Sequence, residues 1–499
     1  MIVVRLNQAR FEYDIHSLVK AFYPTQEVKV FIQGEKELES SPDMPELRIE
    51  FGERQICCSL LAPLETQGTG GEQTAFVRKE ARQEVAELVP GEEKSKIKSR
   101  LKQLLYRLLS SYTGKKLPWG NLTGIRPVKI AYGLLEEGWS HQEIIAHMQS
   151  YYDASEEKAK LGVDIAERER RILAGLHAEK GYSLYVGIPF CPTTCLYCSF
   201  TSYPIGQWKK KVEAYLTALE KEMDYLAEAF RGKVLDTVYI GGGTPTTLEP
   251  GELTRLFTAL QERFDFSSVK EFTVEAGRAD SITKEKLQVM KAFGADRISV
   301  NPQTMKEDTL KLIGRQHTVE QAKEAFLLAR EVGFTNINMD LILGLPEETR
   351  EDVIHTMEEV RKLRPDSLTV HSLAIKRAAG LNQWTREHGM ETLQNTEETM
   401  EIAAAGAKAL GMKPYYLYRQ KNMTGNLENV GYATEGNYGI YNILMMEEKQ
   451  TIAAIGAGTV SKRVYPDGQI ERCDNVKDVV GYMERIDELI ERKRRLFED

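Results

Sequence analysis

Three of the chain's six cysteines fall in one short stretch, Tyr185-Val186-Gly187-Ile188-Pro189-Phe190-Cys191-Pro192-Thr193-Thr194-Cys195-Leu196-Tyr197-Cys198. The spacing C-x3-C-x2-C offers three thiolates from a single loop. That is enough to hold three corners of a four-iron cluster while leaving the fourth iron without a protein ligand, open to a reactant. Three other uses of the loop stand beside this one. Structural zinc takes four protein ligands, and the next Cys or His along the chain is the distant His317. Catalytic zinc takes three, but it usually recruits His or carboxylate rather than three cysteines from one loop. A disulfide with a spare thiol suits an oxidising compartment, to which nothing else in the sequence points. The remaining cysteines show no metal spacing: Cys57 and Cys58 sit in the apolar run 56–61, which reads as a buried strand, and Cys473 stands alone.

The loop needs a scaffold, and from Ser183 the chain alternates strand and helix. Apolar strand runs occur at 184–188, 237–240, 271–275, 297–300, 336–341 and 367–370, with helical patterns at 212–229, 253–263, 284–293, 319–332 and 350–363 between them. Such alternation predicts an α/β fold in which a parallel sheet curls into a partial (β/α)6 barrel over residues 176–373. Ligands of such barrels gather at the C-terminal strand ends, where the motifs of this chain fall.

Residues 1–175 predict an α+β module of unassigned role. Strands are expected at 2–6, 28–32, 47–51 and 56–61, with a helix at 18–23 and a loop at 67–72 whose glycines lack the Gly-Lys-Ser/Thr of a phosphate loop. An amphipathic helix with Ser95 as its N-cap should run over 95–112, and further helices over 128–135, 141–151 and 155–173. Arg126, in the turn-rich Trp119-Gly120-Asn121-Leu122-Thr123-Gly124-Ile125-Arg126-Pro127, is either a solvated or paired turn arginine or a contact for a substrate or another domain. Residues 374–499 form a mixed α+β extension, with a helix at 395–410, a strand at 415–419, an apolar run at 451–458 and a final charged helix at 476–497.

Lys plus Arg number 66 against 74 Asp plus Glu, a net charge of -8, which excludes a protein built around a nucleic-acid backbone. There is no apolar run of membrane-spanning length, and Met1-Ile2-Val3-Val4-Arg5 is unlike a secretory signal, so a soluble, cytoplasmic protein is expected.

The cysteine loop resembles that of the radical S-adenosylmethionine (SAM) superfamily. With Tyr239-Ile240-Gly241-Gly242-Gly243-Thr244-Pro245-Thr246 downstream, the chain is similar to the oxygen-independent coproporphyrinogen III oxidase family, most of all to its HemZ subgroup. The resemblance is specific from about residue 181 to 373 and looser beyond. It implies a [4Fe-4S] cluster on Cys191, Cys195 and Cys198, with SAM held by Gly242, Gly243, Thr244, Glu275, Gln303, Arg315 and Asp340. It places Tyr185, Glu275 and Arg315 at the reacting centre, Arg315 as partner of the SAM carboxylate and Gln303 and Asp340 at the ribose. Gly456-Ala457-Gly458-Thr459-Val460-Ser461 resembles a glycine-rich segment found near the end of related proteins.

The implied reaction is oxidative decarboxylation of two propionates of coproporphyrinogen III, fed by a reduced electron donor such as flavodoxin or ferredoxin. The substrate's four carboxylates call for cations at the barrel mouth, where Lys376 and Arg377 are candidates; His371, ending the sixth strand, is either a substrate contact or a structural histidine. Two positions depart from the family pattern: Gly187 replaces a histidine, and Ser199-Phe200 follows Cys198 where the oxidase has a further cysteine two positions on. The second change resembles relatives that bind haem or perform other chemistry. A haem-binding or haem-delivery protein, and a SAM-dependent methyltransferase or haem-opening enzyme, are therefore the alternatives.

Overall fold

The computed structural model describes all residues except 35–43, 67–74, 90, 124–125, 200–201, 377–378, 421–422 and 499. The expected loop at 67–72, Phe200, Arg377 and part of the turn before Pro127 thus lie outside the described residues. Two compact units are present, Met1–Val163 with Arg419–Glu428, and Asp164–Tyr418 with Asn429–Asp499.

The first unit holds a five-stranded sheet in the order β2-β1-β3-β4-β5. Its strands are β1 (Ile2–Leu6), β2 (Val28–Ile32), β3 (Glu46–Phe51), β4 (Gln55–Thr66) and β5 (Ala75–Glu87). The polar, alternating β5 has no continuous apolar run, so its pairing with β4 is invisible to a search for apolar strands. Cys58 is buried in the core, with Leu18, Leu47 and Leu101 among its neighbours in one apolar cluster. The helix expected from Ser95 starts at Lys94, with Glu93 at the cap position and no side-chain cap; Ser95 lies inside its first turn. Arg126 is the N-cap residue of the helix Pro127–Glu136. The segment Arg419–Glu428 completes this unit, because Glu428 accepts from Trp119 Nε1 at 2.7 Å and pairs with Lys158 at 2.8 Å.

The second unit is built on an eleven-stranded sheet. The strands are β6 (Gly181–Ile188), β7 (Phe190–Cys191), β8 (Tyr203–Pro204), β9 (Val234–Gly242), β10 (Glu271–Gly277), β11 (Arg297–Val300), β12 (Asn336–Leu343), β13 (Ser367–Ser372), β14 (Lys413–Tyr418), β15 (Asn429–Ala433), β16 (Thr451–Ile455), β17 (Val460–Val464) and β18 (Ile470–Asp474). Their order is β14-β15-β13-β12-β11-β10-β9-β6-β16-β17-β18, with β7 and β8 forming a separate two-stranded pair. The run β6-β9-β10-β11-β12-β13 is parallel at every step. This is the α/β partial barrel of six parallel strands.

Residues 374–499 do not form a separate layer. β15 adds antiparallel to β13 at one margin and β16 parallel to β6 at the other, so the extension completes the barrel's own sheet and covers both edge strands. The expected final helix is two, Val479–Glu484 and Ile486–Glu498, broken at Arg485. The second of these helices buries Lys493 fully, where its ammonium meets Glu222 of the helix Val212–Ala229. No described helix is long and apolar enough to cross a membrane.

Candidate active site

The cysteine loop starts where β6 ends. Cys191 lies on β7 in register with Pro204 of β8, which anchors the first thiol to backbone rather than to loop. Cys198 N donates to Cys195 O at 3.1 Å, closing a turn that presents the other two. The loop is tied down from outside: Leu196 N donates to Ile313 O at 2.9 Å, and Thr193 Oγ1 to Gly314 O at 3.0 Å. None of the six cysteines is in a disulfide, so the disulfide use of the loop is set aside; Cys191 is buried, while Cys195 and Cys198 are half-buried. Among the described residues no three His, Cys, Asp or Glu side chains gather as a site for a single metal ion.

The glycine run answers the loop directly. Gly243 N donates to Ile188 O and Thr244 N to Phe190 O, each at 2.7 Å. A Cβ on Gly243 would stand 2.6 Å from Phe190 O and 3.0 Å from Cys191 Sγ, so no larger residue fits. Thr244 Oγ1 lies 3.6 Å from Cys191 Sγ and donates to it. Gly243 and Thr244 therefore hold the cysteine strand in place. At Gly241 a Cβ would come within 2.8 Å of the Glu275 carboxyl carbon and 2.9 Å of the Tyr239 ring.

Glu275 lies on β10 and accepts from Tyr239 Oη at 2.6 Å. Burial pushes its carboxyl up to about 7, against the pull of that hydrogen bond. Beneath it Tyr185, Tyr239 and Tyr441 stack, with ring centroids 6.0 Å apart for the first pair and 4.5 Å for Tyr239 and Tyr441. Tyr185 thus belongs to an aromatic floor, and burial raises its phenol. Tyr441 reaches the floor from the helix Ile440–Glu447, whose first amide donates to Glu271.

On the far strands, Gln303 follows β11 in the left-handed region with φ 69°, a strained conformation for a side chain of this size. It is fixed there by Gln303 N to Asp340 O and Ile342 N to Gln303 O, both 3.0 Å. Its Oε1 is buried without a hydrogen-bond partner. Burial pushes the Asp340 carboxyl up, yet His371 and Asn338 outweigh it and leave it below its ordinary value; Asn338 Nδ2 donates at 2.7 Å and His371 Nε2 lies 3.9 Å away. His371 Nδ1 is also 3.4 Å from Tyr418 Oη, so both ring nitrogens face protein side chains.

Arg315 donates Nη1 to Asn301 O at 2.5 Å and Nη2 to Tyr197 Oη at 3.1 Å, leaving Nε buried and unpartnered. It therefore bridges β11's end to the cysteine loop. Lys376 follows β13 and is half-buried, with its ammonium pushed down by burial. Gly187 has no room for a histidine: a Cβ there would stand 2.5 Å from Thr459 Cγ2 of the C-terminal glycine segment.

Sequence reasoning missed Tyr197, Tyr239, Tyr441 and Arg278. Tyr197 and Tyr239 were within the quoted motifs, and their offsets of one residue from Cys198 and two from Gly241 were the available signal. Three thiols from one strand and the turn after it, a backbone cradle too tight for Cβ atoms, and unpartnered buried atoms on Gln303 and Arg315 fit a cluster together with a polar ligand beside it.

Comparison with known proteins agrees. The radical SAM superfamily matches residues 185–360. The chain is 42% identical over 407 residues to the oxygen-independent coproporphyrinogen-III oxidase-like protein HemZ of Bacillus subtilis, covering 81% of each chain. It is 35% identical over 237 residues to the heme chaperone HemW of the same organism, covering 47% of this chain and 62% of that one. The fold is similar to that of coproporphyrinogen III oxidase (HemN) from Escherichia coli, with a TM-score of 0.50 and 24% identity over 64% of this chain and 72% of the other. With a [4Fe-4S] cluster and SAM as its cofactors, the chain belongs to the radical SAM superfamily and, within it, to the HemZ family of oxygen-independent coproporphyrinogen III oxidase-like proteins.

Proposed function

We propose that the protein is an oxidoreductase that decarboxylates the propionates of coproporphyrinogen III to give the vinyl groups of protoporphyrinogen IX. The observation that carries this reading is the convergence of Cys191, Cys195, Cys198, Glu275, Gln303, Arg315 and Asp340 at one end of one partial barrel, together with the HemZ likeness. Cluster and SAM, when bound, would supply a 5′-deoxyadenosyl radical able to take one hydrogen atom from a propionate β-carbon; loss of carbon dioxide, with one electron passing to an external one-electron acceptor, would leave the vinyl group.

The chain's own residues bind and orient. Cys191, Cys195 and Cys198 would hold three irons of the cluster, with the Gly243 and Thr244 amides tying the cysteine strand to the end of β9. Arg315, through its free Nε, receives the SAM carboxylate; a guanidinium already fixed by Asn301 and Tyr197 loses little freedom on binding. Gln303 Oε1 and Asp340 would accept from the ribose hydroxyls, and Glu275 would take the amino end. The tyrosine floor of Tyr185, Tyr239 and Tyr441 closes the barrel below the ligand and excludes water. Lys376, following β13, is the cation offered to a substrate carboxylate in this reading, and a reduced flavodoxin or ferredoxin would deliver electrons.

Haem binding or delivery is the second reading, favoured by Ser199 after Cys198 and by the similarity to HemW. Anaerobic protein with reconstituted cluster, given a reductant, SAM and coproporphyrinogen III, separates the two. Deoxyadenosine and decarboxylated porphyrin formed together, and both absent in Cys195→Ala, are expected. Deoxyadenosine without decarboxylation, accompanied by stable haem binding, would replace the oxidase reading with the second.

A further inference from the structure

Arg278 follows β10 and is only 3% exposed. One edge of its guanidinium is saturated by Asp280: Nε donates to Oδ1 at 3.0 Å and Nη2 to Oδ2 at 2.6 Å. The remaining nitrogen turns to the cysteine loop. Nη1 lies 2.7 Å from Thr193 Oγ1, 3.1 Å from Thr193 O and 3.7 Å from Cys195 Sγ. Thus Cys191 receives a neutral hydroxyl from Thr244, whereas Cys195 receives a cation.

Holding the loop does not require that charge. A neutral amide can donate to Thr193 O, and burying a guanidinium costs several kcal/mol even with a carboxylate beside it. What a cation alone offers is stabilisation of negative charge on sulfur. One-electron reduction adds a negative charge to a cluster, and hydrogen bonds and charges at its cysteine sulfurs set its potential. The Asp280 carboxylate opposes the effect, so the two residues are a matched pair of opposite sign. Asp280 is in turn 3.9 Å from the buried His317.

We propose that Arg278 is a positioning residue for Cys195 that also eases one-electron reduction of the cluster by an external low-potential electron carrier, with Asp280 restraining it. This rests on the cluster reading of the same loop. Neither residue carries a role in the SAM-binding set described above.

The test uses the full chain, reconstituted anaerobically, as wild type, Arg278→Gln, Arg278→Lys and Asp280→Asn. Iron and sulfide content are measured first; the reduced fraction is then followed by absorbance and electron paramagnetic resonance during reductive titration with dithionite and mediators. Arg278→Gln with full iron should show about 10-fold less reduced over oxidised cluster at a fixed potential, equivalent to about 59 mV for one electron. Arg278→Lys should shift less in the same direction, and Asp280→Asn should shift the opposite way. An unchanged midpoint in iron-replete Arg278→Gln overturns the proposal. If that variant retains no iron, Asp280→Asn decides: easier reduction supports the proposal, and unchanged or harder reduction overturns it. Wild-type protein that takes up no cluster removes the cluster reading itself, and this inference with it.

Discussion

Tyr239 and Glu275, on adjacent parallel strands, share a 2.6 Å hydrogen bond beside Gly241, where an added Cβ would stand 2.8 Å from the Glu275 carboxyl and 2.9 Å from the Tyr239 ring. The carboxyl is pushed up to about 7 by burial. Between its ordinary value and 7 the folded protein therefore binds more protons there than the unfolded chain, so stability falls as pH rises through this window. Glu348, buried and also pushed up to about 7, acts with the same sign. Glu275→Gln should make the fall in stability of cluster-free protein between pH 5 and pH 8 shallower by about 2 kcal/mol, read from denaturant titrations at each pH. An unaltered pH slope in that variant would show that Glu275 is ionised in the fold.

Gly187 and Thr459 are coupled. Gly187→Ala should destabilise by about 1–3 kcal/mol, because the new Cβ meets Thr459 Cγ2 at 2.5 Å while Thr459 Oγ1 is tethered to Gly456 O at 2.8 Å. Adding Thr459→Ser, which removes the methyl and keeps the tether, should recover most of that loss. Chemical denaturation of the two single variants and the double gives the coupling; strictly additive losses would mean the clash is relieved elsewhere.

Lys493 is fully buried against Glu222, which also accepts from Tyr482 Oη at 2.6 Å, Gly456 N at 2.9 Å and Asn475 Nδ2 at 2.8 Å. Lys493→Met should cost about 3 kcal/mol by leaving a buried carboxylate without its cation, and Glu222→Gln in the same chain should return part of it. Denaturant midpoints of the single and double variants check both signs.

Arg315→Lys should weaken SAM binding at least about 10-fold, since an ammonium cannot keep Asn301 O and Tyr197 Oη while offering a further fixed N–H. Iron content should stay at the wild-type level. Equilibrium binding of SAM to the reconstituted variant measures the first and metal analysis the second; equal SAM affinity would remove Arg315 from the ligand site.

The cysteine spacing, the six strand runs of the barrel and the helices Val212–Ala229, Val319–Val332 and Arg350–Leu363 were all legible in the chain. Each is carried by local periodicity or by residue chemistry within a few positions. The same local signals could not show β5, whose residues are too polar to read as an apolar strand, nor the break at Arg485, which follows a helical pattern that continues on both sides. They also could not show that Arg419–Glu428 belongs with residues 1–163, because the pairing of Glu428 with Lys158 spans 270 positions.

By itself, the sequence determined the cysteine spacing, the parallel α/β order and the family, because thiol spacing, hydrophobic period and motif order are properties of neighbouring residues. Only the tertiary structure decided which of those residues touch. It turned Gly243 and Thr244 toward the cysteine strand, stacked Tyr441 beneath Tyr239, filled the space beside Gly187 with Thr459, and set a buried guanidinium on Cys195. Those contacts arise where strands far apart in the chain converge at one end of a curled sheet, and the cost of burying charge and of overlapping atoms is set by what lies across that gap rather than along the chain.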